Sequence, residues 1–428
     1  MKIPHYLGMM LPFLLAACAV YSPKLVDIQQ NSSEWKQVSA RMCEGEAPLS
    51  LDRLHEIGLL LNPELNQARL ACARSTAVAE FAGLWEDPGL SGSIARIREP
   101  NIINRGVGMS LTLPVTGLPG LAEKVAACYK EADYLTMQAK ERAYLGQLDS
   151  LRYRVMSTHA KLHLMQSRIR QLAEEQQSAQ RMHELGEMEF ADFQVICRRW
   201  NDGQKELQEM EQEHLEAHLE MMKLLGLHPD LREVELAGHL PNHIPAAVSV
   251  PTQEKLMQHP ALKASLAEHD TSEAELKLEI RKQYPELEIG PGFEEEDEDS
   301  KVSLELGIRL PLWNRNREGI ARAYAERDIK EYDAVQVWRE LLMQSVSLAD
   351  MQRLLLKHCR AEKNRVEMLS AAEKKQENLY SIGETKLPAV ADARQEAYLR
   401  RLNFIDCMTK LLVTQVELQY LNPEFIAK

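Results

Sequence analysis

The chain has 428 residues, a formal net charge of −13, 6% aromatic and 27% charged residues. Its acidic balance excludes the basic stripe of a nucleic-acid binder. Sparse aromatics with abundant Ala, Glu, Leu, Gln and Arg are the composition of extended helices and coiled coils. Beyond the N-terminus no apolar run reaches the roughly 18 residues of a membrane-spanning helix, so any membrane crossing must use strands.

The first residues read as an export signal. Met1-Lys2 precedes an apolar stretch from Tyr6 to Leu15, followed by small residues before a cysteine, Leu15-Ala16-Ala17-Cys18. This predicts a signal peptide over 1–17 and an N-terminal segment over 18–47. The ending resembles a bacterial lipobox, which would make Cys18 the lipidated first residue of the mature chain. Ala19 replaces the Asp expected of inner-membrane retention, which favours the outer membrane. The alternative is an ordinary cleaved signal with an incidental cysteine, and the lipoprotein reading is preferred.

The rest of the chain repeats itself. Asn62-Pro63-Glu64-Leu65 recurs as His259-Pro260-Ala261-Leu262, 197 residues on. The same spacing carries Pro88 to Pro285, Leu113-Pro114 to Leu310-Pro311 and Gly186-Glu187 to Gly383-Glu384. Prolines and glycines kept at one spacing over so long a stretch are the mark of a tandem duplication. The units are assigned to 48–230 and 251–428, joined by a Pro-rich linker over 231–250.

In chain order, Pro63 suits the first turn of a helix, and Pro88 ends that helix. Alternation follows: Val107, Met109, Leu111 and Leu113 are interleaved with Gly108, Ser110 and Thr112. Strands are predicted over 89–97 and 106–114. In the second unit Val302, Leu304, Leu306, Ile308 and Leu310 alternate with Ser303, Glu305, Gly307 and Arg309. Strands are predicted there over 285–293 and 302–311, with an acidic loop between them. Strands of about 9–11 residues with one apolar and one polar face are what a transmembrane barrel requires. On that reading Ser110, Thr112, Ser303, Glu305 and Arg309 line a lumen. Half-buried surface hairpins would alternate in the same way.

From Leu121 to Leu185 there is no proline and one glycine, and from Ile320 to Ile382 there is neither. At about 1.5 Å per residue each run predicts a helix approaching 100 Å. Leu148, Leu151, Val155, Thr158, Leu162, Met165, Ile169 and Leu172 step by three and four, the seam of a coiled coil. Helical pattern resumes after each Gly-Glu pair, so the chain is expected to reverse at Gly186-Glu187 and Gly383-Glu384. These two turns are the candidate docking tips.

No nucleophile–base pair, phosphate loop or tight metal cluster is evident, and no cofactor is expected. His159/His163 and His214/His218 each stand four apart on a helix face, but no third ligand follows from spacing, so no metal site is assigned. Cys43 and Cys72 are open to bridging. Cys128, Cys197, Cys359 and Cys407 read as buried or interfacial thiols on separate helices.

The layout resembles the TolC family of outer-membrane factors over nearly the whole mature chain. The resemblance is carried by Leu51–Leu65, the pairs Asn62-Pro63 and His259-Pro260, the two Gly-Glu turns, and the run Leu310 to Ala323, which is similar to the metal-cation efflux branch. It implies a mainly α chain that supplies four strands to a trimeric 12-stranded β-barrel, continued by a long periplasmic α-helical barrel. It also implies an adaptor at the hairpin tips and an inner-membrane pump, RND type, that supplies the energy. Asp192 and Asp392 are candidates for an acidic constriction, although they do not align at the 197 spacing. Two rival readings are a periplasmic adaptor and a non-channel coiled-coil envelope scaffold. Metal cations, drugs and peptides all stand open as substrates.

Overall fold

The computed structural model describes residues 21–44, 48–97, 102–231, 238–296 and 299–425. The signal region and Cys18 lie outside them. Nine helices and four strands follow in order among the described residues: α1 Ile28–Cys43, α2 Leu51–Leu61, α3 Pro63–Glu80, β1 Gly89–Ile97, β2 Ile102–Leu113, α4 Leu118–Glu184, α5 Phe190–Leu225, α6 Gln253–Leu256, α7 Pro260–Arg281, β3 Leu287–Glu296, β4 Asp299–Ile308, α8 Arg317–Ser381 and α9 Leu387–Leu421.

The duplication is visible in the elements themselves. α3 and α7 both begin on proline, behind the caps Asn62 and His259. Asn62 accepts from the Leu65 N–H at 3.0 Å, and its Nδ2 donates to the Leu224 carbonyl at 2.9 Å. His259 accepts from the Ala261 N–H through Nδ1 at 3.2 Å and hydrogen-bonds the Tyr420 backbone. In both copies, then, the cap ties the start of the short helix to the end of the returning one.

Two apolar cores sit at matching positions. The first gathers Leu54, Ile57, Leu65, Tyr144, Leu151 and Met221; the second gathers Leu256, Leu262, Leu341, Leu348 and Leu418. Leu65/Leu262, Tyr144/Leu341, Leu151/Leu348 and Met221/Leu418 are each 197 apart. Burying such side chains contributes about 1.5–3 kcal/mol each. The two cores anchor the hairpins α4–α5 and α8–α9, with α3 on α4 and α7 wedged between α4 and α8. α4 also meets α9, closing the helices of the two copies into one body.

α1, the segment after Gly238 and the residues following α9 are each tied to the helices by hydrogen bonds. Trp35 of α1 donates to the Gly226 carbonyl at 2.7 Å and packs edge-on against His228. Gln352 pairs with both backbone groups of Val248, at 2.7 and 3.0 Å, so one side chain mimics a strand partner for the segment after Gly238. Arg142 donates to the carbonyls of Tyr420, Asn422 and Phe425 and so clamps the end of the described chain.

The strands form one antiparallel sheet in the order β1-β2-β3-β4, with the two copies meeting at β2–β3. The paired segments extend further outward than the alternation predicts. β2 begins at Ile102, and the stretch expected as an acidic loop is paired through Glu294↔Lys301, Glu295↔Ser300 and Glu296↔Asp299. Pairing is a backbone property and continues where the apolar alternation stops. An ion pair between Glu296 and Lys301 accompanies it. At the inner end β4 stops at Ile308, short of Leu310-Pro311.

Candidate functional site

The register sorts the sheet into two faces. Leu90, Val107, Met109, Leu111, Ile289, Phe293, Val302, Leu304 and Leu306 fall on one side. This side is bare within the chain: Leu90 and Ile94 are 82% exposed and Val302 is 84% exposed. The other side carries Thr112, Ser110, Glu288, Ser303 and Glu305, together with a set of glycines.

The polar side has a pattern that the alternation argument missed. A Cβ at Gly89 would lie 2.5 Å from Ser110 Oγ, one at Gly106 2.5 Å from Ser93 Oγ, and one at Gly292 2.5 Å from Ser303 Oγ. Each of these serines leans over a glycine of the adjoining strand, so β1 contributes Ser91 and Ser93 to the same surface. The signal is present in the sequence as Gly89, Ser91 and Ser93 at alternate places, but it acquires meaning only when a partner strand sets glycines opposite the serines. Among the predicted residues, Ser110, Thr112, Ser303 and Glu305 share this face. Arg309 follows β4 and reaches Glu288 at 3.6 Å, a solvent-exposed pair that contributes little to stability.

Gly186 and Gly383 have φ of 76° and 77°, the left-handed region that glycine enters without steric cost. Their hydrogen bonds match. Gly186 N–H donates to His183 O at 3.0 Å and Glu187 N–H to Met182 O at 2.8 Å; Gly383 donates to Tyr380 O and Glu384 to Leu379 O at the same two distances. Both are paired 6→1 and 5→2 closures of a helix end. Glu187 and Glu384 are exposed. The tips are not interchangeable, because only the first carries an aromatic set: His183 stacks on Phe193 at 5.0 Å and lies 5.7 Å from Phe190. Leu387, at the foot of α9, packs with Met188 and Ile196, which joins the two tips. Asp392 is held by Arg199 of α5, whereas Asp192 is exposed in the first turn of that helix, so they do not form a symmetric acidic pair.

Above the tips lies a buried ionic band. Arg168 and Glu175 pair at 3.1 Å with side chains 2% and 1% exposed, and Arg394 reaches the same Glu175 oxygen at 3.1 Å. Arg394 also pairs with Glu377 at 2.8 Å, and Gln395 accepts from Arg168 at 3.2 Å. Burial lowers the Arg168 pKa, and Glu175 opposes that shift. Met165, Arg168, Leu172, Glu175 and Ala179 form the buried stripe here. Ile169 packs with Met165 and Leu172 around Gly203 of α5, as the three-and-four steps predict, while Arg168 and Glu175 are covered by Gln395 and Arg394 of α9.

Across α4 and α5 the structure brings His159 and His214 to 5.8 Å between rings, with Thr158 Oγ1 3.0 Å from His214 Nδ1. Burial lowers the pKa of His214 and His218. Among the described residues no group of three or more His, Cys, Asp or Glu could hold a metal ion. Cys43, Cys72, Cys128, Cys197, Cys359 and Cys407 are all free thiols in this structure, Cys359 and Cys407 buried and the other four half-buried. No helix of the described residues is long and apolar enough to cross a membrane.

A four-stranded sheet with an exposed apolar face, continued by two helices of 67 and 65 residues that each turn back through a helix of 36 or 35, decides the architecture. The fold is that of the TolC-type outer-membrane channels. Solved structures similar to this chain include CusC, studied for transmembrane channel formation, at 14% identity, covering 95% of this chain and 99% of that one with a TM-score of 0.72. The CmeC outer membrane channel of Campylobacter jejuni gives 12%, 88% and 86%, and 0.76. The outer-membrane channel OprN gives 15%, 95% and 98%, and 0.75. No family model matches the sequence, and no curated protein matches it significantly.

Proposed function

We propose that this chain is the outer-membrane channel of a tripartite efflux system, a passive exit duct that performs no chemistry of its own. The observation that carries the reading is the sheet: an apolar face bare within the chain, a Ser/Gly-rich polar face behind it, and two outer strands, β1 and β4, each with an unpaired edge. An open edge cannot stand in hydrocarbon, where every backbone polar group needs a partner. Edge-to-edge pairing of three copies supplies those partners and gives a closed barrel of twelve strands.

In that assembly Ser110, Thr112, Ser303, Glu305 and Arg309 line the lumen with Ser91 and Ser93, while Leu90, Val302 and Leu304 face lipid. The tips at Gly186-Glu187 and Gly383-Glu384 meet the periplasmic adaptor, and the inner-membrane pump, of RND type, supplies the energy. Lipidation at Cys18 anchors the N-terminal segment to the same membrane. The resemblance of the Leu310 to Ala323 run favours metal cations as substrate.

The test is assembly. Membranes are washed with salt, extracted with detergent, and the protein is sized by light scattering and reconstituted into planar bilayers. A detergent-requiring trimer with discrete conductance is expected; a salt-released monomer would overturn the channel reading. Sensitivity of a deletion strain across metals and antibiotics then identifies the substrate. Loss of fatty-acid labelling in Cys18→Ser tests the anchor.

A further inference from the structure

The hairpin α8–α9 holds two cysteines at one height. Cys359 lies 24 residues before Gly383 and Cys407 lies 24 residues after it (383 − 359 and 407 − 383). In an antiparallel pair with a tight turn, equal distances from the turn place residues side by side. Both thiols belong to one apolar cluster with Leu355, Met408 and Leu411, Cys359 at 0% and Cys407 at 9% exposure. Cys407 Sγ stands 3.8 Å from the Leu355 carbonyl, the group one helical turn before Cys359. The other hairpin offers nothing comparable, since Cys128 lies 58 residues before Gly186 and Cys197 lies 11 after it (186 − 128 and 197 − 186).

We propose that Cys359 and Cys407 are joined as a disulfide in the exported protein, a staple across α8 and α9. This rests on the envelope location argued above, because such bonds persist in oxidising compartments. Both residues are free thiols in this structure, packed in one cluster, and joining them brings the sulfurs to about 2 Å. A disulfide donor of the envelope supplies the oxidant. Cys407, which lines a 440 Å³ cleft with Glu362, Asp406 and Lys410, is the sulfur it can reach. The Cys407 thiolate attacks the donor disulfide and releases one donor thiol. Cys359, having given up its proton, then attacks Cys407 and displaces the second donor thiol. One S–S bond forms, one breaks, and the donor carries away two electrons and two protons. Burial raises both thiol pKa values, so the exchange is fastest while the chain is still folding. The staple would stop α8 sliding past α9 while leaving the 24-residue ends below it free to part.

The test is mass spectrometry of full-length protein purified from acid-quenched membranes, alkylated in denaturant without reductant, and digested. One linked peptide pair containing Cys359 and Cys407 is expected, released by dithiothreitol, with Cys43, Cys72, Cys128 and Cys197 alkylated. Each of Cys359→Ser and Cys407→Ser should expose one new thiol. Full alkylation of both residues in the wild type overturns the proposal. A second arm oxidises the reduced, purified protein with glutathione disulfide. A bond that forms there but not in cells overturns the proposal through the compartment. A bond that forms in neither overturns it through the geometry and leaves the channel reading intact.

Discussion

The two copies place equivalent residues 197 apart and use them differently. Arg168 of the first hairpin is buried in an ionic band with Glu175 and Arg394. Its counterpart, Arg365, is half exposed and pairs with Glu362 one turn back on its own helix. Gly58 lies so close to Tyr144 that a Cβ would fall 1.9 Å from the phenol oxygen, whereas the second copy has Lys255 and Leu341 at those places. The cap is Asn62 in one copy and a half-buried histidine, His259, in the other. Backbone and apolar framework follow the duplication. Charge, aromatic bulk and titratable groups have parted, so the two walls of one subunit differ in what holds them together.

The largest expected effect breaks the ionic contrast. Arg168→Met should cost about 3 kcal/mol, because it leaves buried carboxylate charge under-compensated. Arg365→Met should cost less, about 1 kcal/mol, because Arg365 is half exposed even though its partner Glu362 is mostly covered. Thermal unfolding of the detergent-solubilised protein measures both, and equal losses would show that burial does not separate the copies. Next, Gly58→Ala should cost about 2 kcal/mol by overpacking against Tyr144. Adding Tyr144→Leu, the residue of the second copy, should recover most of that loss. A double-mutant cycle without coupling would break the pairing of small with large.

A smaller effect is set by pH. Burial, reinforced by the Arg142 charge, holds the His259 pKa at about 4, below its ordinary 6.5. The unfolded chain therefore takes up a proton first. Stability is unaffected by this group above pH 6.5, falls as pH drops towards 4, and levels off below. The loss is about 2 kcal/mol after discounting for partial solvent exposure. His259→Asn, which copies the first cap, should flatten that part of the curve, and denaturant titrations at pH 7 and 4.5 read the difference. The smallest expected effect should be alike in both copies. Gly186→Ala and Gly383→Ala meet no atom within 4 Å, so each should cost about 1 kcal/mol from backbone geometry alone. Unequal melting shifts would show that one tip bears load that the other does not.

The sequence could reveal the strands, long helices and reversals because periodicity, proline and glycine act locally. Val302 to Ile308 states its two faces without help from any partner. The Ser/Gly surface was hidden because Ser93 matters only when Gly106 lies beneath it, and that register is set by the sheet. Arg168 and Glu175 escaped for a related reason: charged residues are assigned to solvent until a neighbouring helix covers them, and the covering residues Arg394 and Gln395 are more than 200 positions away. β1 spans the predicted 89–97, whereas β2, β3 and β4 run further outward than their alternation because hydropathy ends before backbone pairing does. Asp192 and Asp392 were grouped by residue type, and only the fold shows that Arg199 takes one of them.

The junction between the copies has a consequence in time. Leu113 pairs with Leu287, and Arg142 of the first copy grips carbonyls as far on as Phe425. Contacts of such separation raise the contact order and slow folding, since a long loop must close before they are rewarded. A chain emerging from its N-terminus would thus hold the β1–β2 hairpin with an unmatched edge until the second copy is delivered. That edge stays open to wrong pairing until β3 is delivered, so the time between the two copies is when the half-finished sheet is most prone to associate with another chain.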